Sequence, residues 1–167
     1  MVTSIKGNAT STFGGNIDVT GNVVTDAPAF RAYLGTTQVI STATFTKLQI
    51  NTKVFDTTSD YDNATNYRYT PSVAGYYQVS VTSLIQSIAD GKYSLVTIYK
   101  NGTEINRGTQ TFNGIQGDIT SNAVALLYMN GSTDYLEFYV AHNHGADRNA
   151  LGLEFVNNAS AVLVRSV

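Results

Sequence analysis

The chain has 167 residues, a formal net charge of −2 and no cysteine, which fits one domain with its own core and excludes a disulfide framework, a thiolate metal site and a cysteine nucleophile. The near-neutral charge offers no attraction for a polyanion, so we expect no nucleic-acid partner. Charged residues make up 13% of the chain, whereas Thr, Asn and Ser number 22, 15 and 13. The chain has only 3 Glu and 5 Lys, which favour helices on a protein surface, so the composition predicts an all-β fold.

Residues 1–26 are predicted to form an arm or anchor, separate from a head that spans residues 27–167. The arm has short alternating pieces that are too short to bury a face alone, so it needs another chain to order it, and a flexible tail is the alternative. Its predicted contact residues are Ile17, Val19, Val23 and Val24. No basic segment followed by an apolar stretch is visible at the N-terminus, so we expect cytoplasmic synthesis without a signal peptide. No window approaches 18 apolar residues, so we expect no membrane partner.

The head reads as a series of strands. In the stretch 76–82 the residues alternate, with Tyr77, Val79 and Val81 on one face. Similar stretches recur at 95–99, 123–128, 135–140 and 159–165, with no helical period between them. The stretch 83–90 fits either a single helical turn or a strand that ends in a loop. Strands every 10–15 residues indicate a β-sandwich or a barrel.

The turn residues have individual physical reasons. The steps Asn101-Gly102 and Asn130-Gly131 tolerate the positive φ that tight hairpins demand. Pro71 fixes its own φ and favours an extended residue before it, which starts a strand. We expect Gly75 to let the chain turn without a Cβ clash.

Five segments in order resemble the globular head of the C1q and tumour-necrosis-factor-like family. The aromatic-x-Pro-x-x-x-Gly-x-Tyr pattern of Tyr69–Tyr77 and the Lys-Asn-Gly at the end of 96–102 are the most specific. The others are the opening strand at 29–34, the strand–turn–strand at 123–138 and the final core strand at 160–164. The resemblance implies a jelly-roll β-sandwich that assembles as a homotrimer. The chain lacks the collagen stem and the Trp of vertebrate C1q, so it does not imply that branch's immune functions.

Aromatic residues are expected at the trimer interface or in the core. The chain has 11 Tyr and 7 Phe, and tyrosine combines a large apolar area with one polar tip, which suits a packed interface that is not dry. Because a single sandwich core rarely needs so many tyrosines, we favour burial between subunits. The candidates are Tyr76, Tyr77, Tyr135, Phe138 and Tyr139.

No motif of catalysis is present: there is no Gly-x-Ser-x-Gly elbow, phosphate loop or His-Glu-x-x-His, so we expect no enzyme and no cofactor.

Two clusters of side chains could bind a metal ion, which is the alternative to a protein without a metal. His142, His144 and Asp147 combine imidazoles two residues apart with a carboxylate, although Gly145 favours a plain loop. Asp60 and Asp62 belong to an acidic stretch that could supply oxygens to Ca²⁺, although a solvated turn is favoured because the Gly and Glu of a calcium loop are missing. Some relatives in this family bind calcium near the trimer apex.

The resemblance and the charge-poor, Asn- and Thr-rich sequence are typical of a structural protein on the surface of a bacteriophage virion. The favoured function is a capsid decoration or cement protein, whose partners are two copies of itself and, through residues 1–26, capsid or other virion proteins. The first alternative is the receptor-binding tip of a tail fibre that contacts a host surface glycan or protein, with the aromatics of 61–63 and 67–69 stacking on sugar rings. The second alternative is a cellular C1q-like binding module.

Overall fold

The computed structural model describes residues 27–167, which form two seven-stranded antiparallel sheets packed as a jelly-roll sandwich. The predicted all-β sandwich is therefore confirmed. The strands are β1 (Ala29–Tyr33), β2 (Gln38–Ile40), β3 (Thr46–Lys47), β4 (Thr52–Asp56), β5 (Tyr61–Asp62), β6 (Arg68–Tyr69), β7 (Ala74–Ile88), β8 (Tyr93–Lys100), β9 (Thr103–Arg107), β10 (Thr111–Phe112), β11 (Gly117–Asn130), β12 (Leu136–His142), β13 (Arg148–Ala150) and β14 (Asn158–Ser166).

The long strand β7 organises the first sheet. One of its edges pairs with β11 along most of its length, and the other pairs with β14, which continues through β1 to β4. At the far end of β7, β13 pairs with it and carries β2. In the second sheet β8 pairs with β9, β10 and β12, while β12 also pairs with β3 and β6, and β6 with β5. The stretch 83–90 is strand through Ile88, which excludes the helical turn.

The core lies between the two sheets, where the alternation of β7 places Tyr77, Val79 and Val81. Phe30 of β1 joins the first sheet to the second because its ring stacks on Tyr61 at 4.6 Å and lies 4.5 Å from the Tyr69 ring. Such offset aromatic contacts add about 0.5–1.5 kcal/mol beyond the area that they bury. The core is therefore filled by aromatic residues of both sheets.

Two of the turns have the local geometry that their residues favour. Asn101 and Gly102 both have positive φ, 53° and 76°, and they form the two-residue connection between β8 and β9. A hairpin of this length with two positive φ values twists in the same sense as its strands. At the end of β11, Oδ1 of Asn130 accepts three successive backbone N–H groups, each at 3.0 Å, and Gly131 follows at φ 70°.

Gly75 does not lie at a turn, so the expectation for this residue was wrong. It is the second residue of β7, and a Cβ atom there would lie 2.3 Å from the carbonyl oxygen of Arg165 on β14. Glycine is required here because the two backbones approach closely. Pro71 is buried three residues before β7 begins, in the loop that leads into this strand. Within residues 27–167, no helix has the length and apolar character needed to cross a membrane.

Candidate functional site

The outer face of the first sheet carries exposed apolar side chains on three neighbouring strands, with polar side chains between them. On β11 the even-numbered residues point outward, and the register places Tyr128 opposite Tyr76 of β7 and Leu126 opposite Gln78. Gln78 in turn lies opposite Val162 of β14, and Arg165 of β14 lies opposite Tyr76, so the apolar residues extend over three strands with a polar side chain in each of these rows. We call this surface the apolar face; its exposed members are Tyr76, Val124, Leu126, Tyr128, Val162 and Val164.

Contacts within the subunit hold the side chains of the apolar face in place before a partner binds. The rings of Tyr76 and Tyr128 meet edge to face with centroids 5.7 Å apart. At the border of the face, Lys100 donates to the carbonyl oxygen of Tyr128 at 2.7 Å. Its ammonium group also forms a salt bridge with Asp134 at 2.7 Å, which compensates its charge. A cluster of exposed apolar side chains with polar groups between them is typical of a protein–protein interaction surface.

The sequence-predicted interface residues are distributed over three places. Tyr76 lies on the apolar face, whereas Tyr77 and Phe138 are buried in the core. Tyr135 and Tyr139 are half-buried on or beside the second sheet. Burial and then the nearby Glu137 carboxylate raise the pKa of Tyr139 to about 12, so its hydroxyl stays protonated at neutral pH.

Most of the apolar face was missed by sequence reasoning, which named only one of its members. The signal was the unbroken apolar run of residues 123–128: a strand that alternates has one polar face, whereas this run predicts apolar side chains on both. The predicted anchor residues Ile17, Val19, Val23 and Val24 lie outside the described residues.

The two histidines are held by the backbone. Nε2 of His142 lies 3.0 Å from the carbonyl oxygen of Ile40, and its Nδ1 accepts the N–H of His144 at 3.3 Å. Both ring nitrogens of His142 therefore already have a backbone partner. The N–H of Ala89 donates to Nδ1 of His144 at 3.0 Å, and the Arg148 guanidinium contacts its Nε2. Burial and then this positive charge lower the pKa of His144.

The carboxylates named as metal candidates also serve the backbone. Asp147 accepts the N–H of Thr42 at 3.2 Å, and Asp60 accepts both the N–H and the hydroxyl of Ser72 at 3.0 and 3.1 Å. Asp62 accepts three N–H groups of the turn that follows it, at 2.9 to 3.1 Å. In the part of the chain that the structure describes, no group of three His, Cys, Asp or Glu side chains could hold a metal ion.

The aromatic loop residues expected to stack on sugars are mostly turned inward, so that expectation was wrong for Tyr61 and Tyr69. Both rings are fully buried against Phe30, and the hydroxyl of Tyr61 donates to the carbonyl oxygen of Ile50 at 2.9 Å. Burial raises the pKa of both tyrosines above the ordinary value. These residues stabilise the sandwich and offer no ring to a ligand.

Comparison with solved structures identifies the fold. The chain is similar to the globular domain of zebrafish complement 1qA, with 13% identity, a TM-score of 0.59, and coverage of 84% of this chain and 99% of that one. It is also similar to Eiger TNF from S. frugiperda, with 12% identity, a TM-score of 0.57, and coverage of 84% and 93%. A third similar structure is the phage PRD1 vertex protein P5, with 17% identity, a TM-score of 0.57, and coverage of 86% and 100%.

Residues 27–167 therefore have the C1q/TNF-like jelly-roll fold that the sequence resemblance implied. No family model and no curated protein matches the chain. At these identities the likeness defines the fold alone.

Proposed function

We propose that this protein is a structural component of a bacteriophage virion, a homotrimeric jelly-roll head attached through residues 1–26, and that it decorates or cements the capsid. The apolar face is the observation that carries the proposal. In water this surface costs free energy, and a second copy of the chain can cover it. Three copies arranged around a threefold axis bury three such faces, and TNF and C1q domains of the same fold form trimers.

The position where the arm leaves the head supports the anchoring role. The carbonyl oxygen of Pro28 accepts the N–H of Leu163 at 2.9 Å, between Val162 and Val164 of the apolar face. The chain therefore enters the head beside the surface proposed to join the copies. A trimer built on this face brings three attachment points towards the same end, where they can engage one site on a particle.

The virion assignment is supported by the fold and by the surface chemistry. The PRD1 vertex protein P5 shares the fold over nearly its full length. The low content of charged residues, 13%, leaves Thr, Asn and Ser to supply the polar surface. The histidines and aspartates that the sequence predicted as possible metal ligands form hydrogen bonds to backbone groups.

The test is to measure the native mass and the particle binding of two proteins, the full chain and residues 27–167. We expect both to have trimeric masses, the full chain near three times 18.0 kDa, and only the full chain to cosediment with phage particles that lack this protein. A monomeric full chain would refute the trimer, and particle binding by residues 27–167 alone would refute attachment through the arm.

The alternative function, the receptor-binding tip of a tail fibre, predicts a different result for the same two proteins. Residues 27–167 alone would then bind host cells and compete with phage adsorption. Absence of host-cell binding, together with arm-dependent particle binding, favours the capsid decoration.

A further inference from the structure

A cavity of about 340 Å³ lies at a corner of the first sheet, away from the apolar face. It opens between the β1–β2 loop with β2 and the segment that joins β3 to β4. Val39, which is 60% exposed, supplies its apolar surface, and the buried Leu34 lies beneath it. The remaining lining residues are uncharged and polar: Thr36, Thr37, Gln38, Gln49 and Asn51. Its volume is within the range of about 300–1,000 Å³ that small-molecule sites occupy.

The walls of this cavity are fixed by hydrogen bonds between its two segments. The Gln38 amide donates to the carbonyl oxygen of Lys47 at 2.8 Å and accepts the N–H of Gln49 at 2.9 Å. Oδ1 of Asn51 accepts the N–H of Gly35 at 2.8 Å. A Cβ atom on Gly35 would lie 2.1 Å from the hydroxyl oxygen of Thr52, so the loop fits closely only with glycine there. A ligand would therefore meet a site that is already formed.

Several polar groups at the cavity form no hydrogen bond to the protein. Within residues 27–167, Nδ2 of Asn51, the side-chain amide of Gln49 and the hydroxyl of Thr36 have no hydrogen-bond partner in the protein, while their neighbours Gln38 and Thr37 do. These groups can both donate to and accept from a ligand. No charged side chain lines the cavity, so it offers no counter-charge to a phosphate, a carboxylate or an amine.

We propose that this cavity binds one neutral sugar residue, a hexose or an N-acetylhexosamine. A sugar ring presents hydroxyls that donate and accept, which match the amides and the threonine hydroxyl, and a C–H surface, which matches the exposed Val39. The cavity is built from one subunit, so this inference goes beyond the proposed virion function and does not depend on it.

Saturation-transfer NMR on the full chain tests the proposal. Glucose, galactose, mannose, N-acetylglucosamine and N-acetylgalactosamine are each added alone, and sialic acid serves as the charged comparison. We expect at least one neutral sugar to bind in the millimolar range and sialic acid not to bind. Absence of transfer to every neutral sugar, or binding of sialic acid only, would overturn the proposal.

Paired variants locate the binding. The double substitution Thr36→Val with Gln49→Ala removes two unused polar groups and none of the wall hydrogen bonds, so we expect the dissociation constant to rise about tenfold. The matched control is Thr120→Val with Gln116→Ala, which changes exposed residues of the same types in and just before β11 and should leave binding unchanged. Equal weakening by both pairs, or by neither, would place the sugar elsewhere and refute the site.

Two further measurements separate the sources of the sugar and the two proposals. Lactose or chitobiose bound at least as tightly as the matching monosaccharide indicates the end of a glycan, whereas weaker binding indicates the free sugar. Native mass is recorded on the same samples. A trimer that binds no sugar refutes the cavity site and leaves the virion proposal standing, and a monomer that binds sugar does the reverse.

Discussion

The substitution Leu126→Thr should weaken the trimer without unfolding the subunit. Leu126 is 62% exposed in one subunit and lies near the centre of the apolar face. Complete burial of a leucine side chain stabilises by roughly 1.5–3 kcal/mol, so covering its exposed part is worth about 1–2 kcal/mol per copy. For three copies the loss is about 3–6 kcal/mol, which corresponds to a ~10²–10⁴-fold rise in the trimer dissociation constant. Threonine is β-branched, which a strand favours, so the substitution should not unfold β11.

Sedimentation equilibrium over a dilution series measures this shift, and urea unfolding of the same samples reports the stability of the subunit. The matched control is Ile115→Thr, because Ile115 is 78% exposed but lies in the loop before β11, at the opposite end from the face. The control should dissociate like the original chain. Equal dissociation of the Leu126 variant and the original chain would show that this face is not the interface between copies.

Three further substitutions test the packing and the turns. Phe30→Ala removes the ring that stacks on two buried tyrosines and should lower the free energy of unfolding by about 3–5 kcal/mol in a urea titration; a loss below 1 kcal/mol would contradict the central place of this ring. Gly75→Ala should cost about 1–3 kcal/mol by the same assay because β14 must shift, whereas Gly114→Ala, with nothing within 4 Å of its new Cβ, should be near neutral. The N–H groups that follow Asp62 lower the pKa of its carboxyl, so its stabilisation is complete above the unfolded pKa of about 3.9 and is lost as the pH falls below it. The Asp62→Asn variant should therefore lose less stability between about pH 5 and pH 2 than the original chain, and an unchanged acid slope would contradict this role of Asp62.

The parts of the fold that sequence reasoning could reach are those governed by local chemistry. Alternation identified the middle of β7, and the Asn101-Gly102 step marked a two-residue hairpin, because both signals depend on neighbouring residues. The two-residue strands β3, β5 and β6 gave no signal, since they exist only through pairing with β12 or with one another. Positive φ at Ala43, Ser59 and Tyr67 is likewise set by the surrounding structure and is not a preference of those residues.

The candidate sites also combine features that depend on local sequence with features that depend on the surrounding structure. Tyr76 and Tyr77 are adjacent and chemically alike, and only the strand's position in the sandwich decides that the first is exposed and the second buried. The sugar cavity joins residues 34–39 to residues 49–51, so its lining groups come together only when β2 and β3 take their places. The sequence predicted the aspartates as possible metal ligands because composition alone does not reveal which carboxylates already accept backbone N–H groups.

The two ends of the outer surface of the first sheet differ in chemistry, and this difference orients a partner. At one end the side chains of β7 and its neighbours satisfy each other, as in the 2.9 Å contact between the Ser80 and Ser160 hydroxyls and the 2.7 Å bond from Thr82 to Asn122. The exposed tyrosines lie at the other end, where Pro28 also contacts Leu163. A copy that docks on this sheet therefore gains most at the end where residues 1–26 join the head. Assembly and anchoring would then be coupled by geometry, because formation of the trimer gathers the three arms.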